Sequence, residues 1–131
     1  HIADPTGEAI RAAGLKRVGL LGTGVTMRSP LFAERFRTKY GFETIAPGEA
    51  DMEIVDRIIF DELVRRKLRP ESKAEYIRVV EGMRARGAQG VILGCTEIFL
   101  LVGQQDFPDF PVFDTTALHV AAIADYVLAA G

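Results

Sequence analysis

The segment Gly90-Val91-Ile92-Leu93-Gly94-Cys95-Thr96-Glu97-Ile98 constrains the fold more than any other stretch of the chain. Three aliphatic residues in a row suit a parallel strand buried on both faces, and glycine ends the run. The chain's one cysteine follows at once. Thr96-Glu97-Ile98-Phe99-Leu100-Leu101 then reads as the first turns of a helix. On this reading Cys95 sits at the C-terminal edge of a strand, over a helix N-terminus. Open α/β sheets bind ligands at that edge, and the positive end of a helix dipole there favours a thiolate.

The remaining chain supplies the other parts of such a sheet. Asp4-Pro5 reads as the N-cap and first residue of a helix running to about Ala13, with Gly14 as its stop. Val18-Gly19-Leu20-Leu21 is a buried strand ending in the small, hydroxyl-rich loop Gly22-Thr23-Gly24-Val25-Thr26. Ser29-Pro30 caps a helix to about Tyr40, closed by Gly41, and Phe42 to Ile45 is a short strand. Met52, Val55, Ile58, Ile59 and Leu63 recur at helical spacing between Glu49 and Lys67. Ala74, Ile77, Val80 and Met83 do the same between Glu71 and Arg86. Val112-Phe113 is a last short strand, and Asp114 caps a final helix over Thr115 to Ala129. Strands and helices in alternation predict an α/β fold, a four-stranded parallel sheet flanked by helices.

Length and composition narrow the function classes. The 131 residues suit one domain, with 48% hydrophobic and 26% charged residues. A net charge of −2 gives no basic surface for nucleic acid or an anionic membrane. The apolar runs are too short to span a bilayer, and no signal peptide is evident. One cysteine excludes an internal disulfide and suits a reducing cytoplasm. Two histidines and one cysteine, widely spaced, form no metal-site pattern. Gly22-Thr23-Gly24 lacks the glycine spacing of a nucleotide fingerprint. The chain begins at His1 rather than Met, as expected of a piece of something longer.

The strand ends bring hydroxyl-bearing segments to one rim: Thr23 to Thr26, Cys95-Thr96, and Asp114-Thr115-Thr116. A thiol among hydroxyls and free helix N–H groups can receive a small carboxylate, and its thiolate can serve as base or nucleophile. Each residue also has a plainer reading. Cys95 reads as a small buried hydrophobe. Thr23 and Thr26 read as partners of loop backbone groups, and Thr115 and Thr116 as helix caps. Glu97 suits the first turn of a helix with no further role, or orients the thiol. His119, inside the last helix, reads as a packed histidine before a catalytic one.

The segment from Gly87 to Ile98 resembles the second cysteine motif of the aspartate/glutamate racemase family. Val18 to Thr23 with Thr26-Met27 resembles that family's threonine loop. Arg57 to Leu63 resembles its mid-domain helix, and Pro111 to His119 its closing segment. The resemblance implies that residues 1–131 are the C-terminal lobe of a two-lobe racemase fold, beginning near His1 to Asp4, with the N-terminal lobe and its own cysteine absent from this sequence. It implies cofactor-independent racemisation of aspartate or glutamate, without pyridoxal phosphate, one cysteine removing the α-proton and the other returning one to the opposite face. Cys95 would be the acid–base group of this lobe, with Thr23, Thr26 and Thr96 binding the substrate carboxylate. Glu97, Lys67 and His119 are candidates for support, and Arg65 or Lys67 for the side-chain carboxylate. A homodimer is compatible with the resemblance. Relatives of the same design widen the expectation to arylmalonate decarboxylase-like or maleate isomerase-like enzymes. A non-catalytic lobe that binds an acidic metabolite or a partner protein is a further alternative.

Overall fold

The computed structural model describes the backbone of residues 3–130 and the surroundings of residues 3–128. His1 and Ile2, where the resemblance begins the lobe, lie outside the described residues. The elements run α1 (Asp4–Ala12), β1 (Arg17–Leu21), α2 (Gly24–Arg28), α3 (Pro30–Arg35), β2 (Glu43–Ile45), α4 (Glu49–Asp61), α5 (Pro70–Ala85), β3 (Val91–Leu93), β4 (Val112–Asp114) and α6 (Thr115–Ala130). The four strands form one parallel sheet in the order β2-β1-β3-β4. The α/β sheet expected from the sequence is therefore the fold observed.

The period of two along each strand divides the core between the faces. Val18, Leu20 and Ile92 join Ile10, Phe36, Tyr40 and Phe42 under α1 and α3. Leu21, Val91 and Leu93 join Val55, Ile59, Tyr76, Val80 and Met83 under α4 and α5. Gly19 has no side chain where Met83 fills the space: a Cβ there would lie 3.0 Å from the Met83 thioether. Burying aliphatic side chains on both faces stabilises each by roughly 1.5–3 kcal/mol, which fixes the register Leu20↔Ile92 and Leu21↔Leu93. Gly14, Gly41 and Gly87 all take positive φ after helices, as their places in the sequence predict.

Local chemistry moves several boundaries. Ala3, not Asp4, occupies the α1 cap position. The Asp4 carboxylate instead pairs with Arg35 through two 2.8 Å bonds and with Lys39 at 3.2 Å. Arg35 holds that carboxyl well below its usual range, and the pair ties α1 to α3. Ser29 caps α3 as expected, accepting from the Leu31 N–H. The helix then widens into a π-turn over Phe36–Tyr40, which buries both end residues. Between Gly22 and Thr26, where a loop is expected, the short α2 forms with Thr23 as its cap.

The helix expected to reach Lys67 stops at Asp61. Glu62 is buried and accepts a hydrogen bond from the Ser72 hydroxyl of α5. Its carbonyl also accepts from the N–H groups of Arg65 and Lys67, closing a turn rather than continuing the helix. Arg66 then takes φ 60, the sole positive φ among the described residues other than glycine. For a bulky side chain that conformation costs about 1–2 kcal/mol. Ala74, expected on the apolar side of α5, is exposed, while Tyr76 and Val79 are buried there.

Among the described residues, no helix is long and apolar enough to cross a membrane, and no cluster of three or more His, Cys, Asp or Glu side chains has the makings of a metal site.

Candidate active site

The C-terminal ends of β1, β3 and β4 make one rim. Leu21, Leu93 and Asp114 form its last paired row, and the next residue of β3's strand direction, Gly94, donates its N–H to the Leu21 carbonyl at 2.7 Å. A Cβ on Gly94 would stand 2.9 Å from that same carbonyl oxygen, so the main chains can meet only because residue 94 is glycine. Cys95 leaves the sheet from this contact and is half-buried.

The Cys95 thiol donates to Glu97 Oε2 at 3.2 Å. The Thr96 hydroxyl donates to the same oxygen at 2.6 Å. Burial pushes the Cys95 thiol above its usual range; the Glu97 main-chain N–H works the other way, and the Glu97 carboxylate adds to the rise. Glu97 itself lies below the usual carboxylate range, because Thr96 and then Cys95 donate to it, with the charge of Arg66 a smaller contribution. These shifts correct the expectation of a dipole-stabilised thiolate. The segment after Cys95 is a single 3₁₀ turn over Ile98–Leu100, not an α-helix, and a short turn of this kind lacks the summed dipole of a full helix. The resting sulfur is a thiol aimed at a carboxylate.

The threonine loop meets the rim at Gly94, the residue before the cysteine. Thr23 Oγ1 accepts the Thr26 N–H at 3.4 Å and donates to Thr26 Oγ1 at 3.2 Å. The Thr26 methyl packs against Gly22 and Gly94, and Thr26, Gly94 and Thr115 share the lining of a small, mainly apolar cavity of about 50 Å³. That volume suits a water molecule rather than an amino acid, so a substrate would rest on the open rim above. Thr115 donates to the Leu93 carbonyl at 2.9 Å, and Asp114 caps α6 by accepting from the N–H groups of Thr116 and Ala117. Thr96 is exposed, with its hydroxyl turned to Glu97.

The other candidates stand apart from this cluster. His119 lines a groove between α1 and α6 with Asp4, Glu8 and Tyr126, which it does not share with Cys95. Lys67 and Arg65 are exposed in the turn after α4. Two supporting residues carry no signal in the sequence because their partners are distant. Asp56 accepts the Gly24 N–H at 2.6 Å and pins α2 to α4. Tyr76 of α5 is fully buried, donates to the Val55 carbonyl at 2.8 Å, and is held far above the usual phenol range by burial and then by the neighbouring charges of Cys95, Glu62 and Asp56.

The sequence profile of the family described as Asp/Glu/hydantoin racemase matches residues 1–123. The chain belongs to this family. Solved structures agree. A Yersinia pestis protein of the Asp/Glu racemase type superposes with a TM-score of 0.91 at 47% identity, covering 98% of this chain and 55% of that one. An aspartate racemase homologue from Pyrococcus horikoshii gives 0.87 at 34% identity, covering 95% and 54%. Picrophilus torridus aspartate racemase gives 0.74 at 25% identity, covering 95% and 51%. This racemase-family chain thus spans about half the length of the structures it matches.

Proposed function

We propose that this chain supplies one acid–base half of a racemase for aspartate or glutamate, with Cys95 as the group that exchanges the α-proton. The observation that carries the reading is the half-buried Sγ at the sheet rim, donating to Glu97 at 3.2 Å beside Thr96, one residue after the glycine against which Thr26 packs. Inverting a stereocentre needs a donor on the face opposite the acceptor, so a second group must face Cys95 from a separate lobe, by family resemblance a cysteine. In one direction the thiol's S–H bond breaks and a Cα–H bond forms on a carbanion-like species, leaving a thiolate. In the other, that thiolate removes the α-proton. Because the α-proton is so weakly acidic, donors on the α-carboxylate have to strengthen as charge develops. Thr23, Thr26 and Thr96 are assigned this task, and the chemistry calls for no pyridoxal phosphate.

Glu97 gives the cysteine a preferred state. An accepting carboxylate beside Sγ favours S–H over S⁻, so Cys95 rests as the proton donor, and the thiolate formed on donation is driven to recover its proton. A polar rim would suit a lobe with no partner. Instead Val25 is 82% and Phe99 50% exposed, beside the threonine loop and Glu97 respectively, which favours a covering lobe over a stand-alone binding module. The decarboxylase alternative shares the protonation step and needs only this cysteine. It is separated by substrate: arylmalonate turnover without racemisation of aspartate or glutamate.

The test is racemisation of aspartate and glutamate, followed with α-deuterium exchange, in a protein carrying both lobes and no added pyridoxal phosphate. Cys95→Ser and Cys95→Ala are each expected to lower kcat/KM about 10³-fold or more in both directions. Unchanged turnover by Cys95→Ala would remove the sulfur from the mechanism.

A further inference from the structure

We propose that Asp56 of α4 is the positioning residue of the threonine loop, the group that sets where Thr23 and Thr26 present their hydroxyls to the substrate carboxylate. This role rests on the task given to those two threonines above and says what holds them to it.

Asp56 stands in the middle of α4, past the first turn where a helix dipole favours an acid. Its short polar side chain is a poor helix former, so what it contributes lies outside its own helix. The main-chain N–H of Gly24, the first residue of α2, donates to Asp56 Oδ1 at 2.6 Å. Gly24 is buried and lets the carboxylate approach, since a Cβ there would stand 3.3 Å from the same oxygen. Glu49 lies about two turns earlier on the same face of α4. It takes the guanidinium of Arg28, the last residue of α2, at 2.9 Å. One face of α4 thus holds both ends of α2, with a part-buried bond at the threonine end and an exposed ion pair at the other.

The threonine end is where position matters. Thr23, the cap of α2, directly precedes Gly24, and the two share one planar peptide unit. Fixing the Gly24 N–H therefore fixes the plane from which the Thr23 side chain departs. Thr23 Oγ1 in turn accepts the Thr26 N–H at 3.4 Å and donates to Thr26 Oγ1 at 3.2 Å. A hydroxyl has one proton to give and two acceptor sites, so Thr26 Oγ1 accepts from Thr23 and still has its own O–H for a carboxylate. One line of contacts runs from Asp56 through Gly24 and Thr23 to Thr26, whose methyl packs at Gly94, the residue before Cys95.

The test uses a protein carrying both lobes, and measures KM and kcat for aspartate and glutamate together with amide hydrogen exchange in α2 and β3. KM decides, because it does not depend on how much of a sample is folded. Asp56→Ala is expected to raise KM about tenfold and to speed exchange in α2 but not in β3. Asp56→Ser, whose hydroxyl falls short of Gly24, should do the same. Asp56→Asn keeps an acceptor for the Gly24 N–H and should return KM to within about threefold of the parent. Glu49→Gln, at the other end of α2, should leave KM within about twofold, since exposed ion pairs hold little. With Thr23→Ala and Thr26→Val already in place, Asp56→Ala should add nothing further to KM, because its effect passes through those hydroxyls. Asp56 loses the role if KM or exchange is unmoved in both the Ala and Ser variants, if Asp56→Asn recovers nothing, if Glu49→Gln raises KM equally, or if the full rise persists without the threonines. Each of those results leaves Cys95 in place. A parent-like KM in the threonine variants themselves would remove the task beneath this role. No turnover in the parent, or full activity in Cys95→Ala, would remove the racemase reading itself.

Discussion

Helices α5 and α6 have the same length, sixteen residues, and opposite surroundings. Helix α5 is rich in charge, yet Tyr76, Val79, Val80 and Met83 are buried against the sheet. Its outer face carries Arg78, bound to Asp51 and Glu75 at 2.9 and 2.8 Å. Helix α6 has almost no charge, yet Tyr126 and Leu128 are 75% and 78% exposed, and Val120, Ile123 and Val127 are exposed as well. Burial follows position in the lobe, not the hydrophobicity of the element. Helix α5 lies over the sheet and buries Tyr76 against it. Helix α6 leaves the rim at Thr115 and runs along α1, and this lobe covers only part of it.

The sharpest way to break this comparison is to truncate one side chain on each helix and measure denaturant unfolding. Tyr76→Ala is expected to cost about 3–5 kcal/mol, because it removes a large core side chain and the bond to Val55. Leu128→Ala, at an equally apolar position in the sequence, should fall within about 0.5 kcal/mol of the parent. Comparable losses at the two sites would mean that α6 is as well packed as α5.

A smaller effect sharpens the comparison at the rim, where Glu97 accepts from the sulfur. Glu97→Gln keeps an acceptor but removes the carboxylate charge, so the midpoint of Cys95 alkylation against pH should move to lower pH. The linkage has a definite sign. A thiol whose pKa is raised on folding contributes stability that is fully present below the ordinary thiol range and lost as pH rises through the folded value. Chemical denaturation of the parent should therefore show declining stability in alkaline buffer, and Glu97→Gln a shallower decline. An alkylation midpoint that stays in place or rises would show that Glu97 does not hold the proton on sulfur. The smallest effect belongs to the outer face of α5. Arg78→Ala should cost about 0.5 kcal/mol or less, shrinking further with added salt, because the ion pairs are exposed.

The sequence made the framework legible because its signals are local. Ser29 and Asp114 cap the helices assigned to them, and glycines 14, 41 and 87 close theirs with positive φ. Aliphatic runs located β1 and β3, and Gly41 with Pro47-Gly48 bracketed β2. What stayed hidden depends on contacts across the chain. The apolar spacing of α4 continues through Leu63, but the helix ends where Glu62 meets Ser72 on another element. Asp56 and Tyr76 gain their roles from Gly24 and Val55, which lie 32 and 21 residues away. The turn after Cys95 reads as helix over Thr96 to Leu101, and Ile98 and Leu101 do face inward; the pattern of one turn cannot distinguish 3₁₀ from α geometry. Cys95, Thr96 and Glu97 were legible as a group because they are neighbours in sequence. The left-handed backbone at Arg66 was not legible, since nothing in that residue's identity announces it.

The missing side chain at Gly94 has a consequence for how the sulfur can behave. Two main chains touch at that point, so the residue that follows inherits the stiffness of the sheet instead of the mobility of a loop. Rotation about Cα–Cβ is the freedom left to the sulfur, so its reach is measured from a main-chain position that the sheet holds.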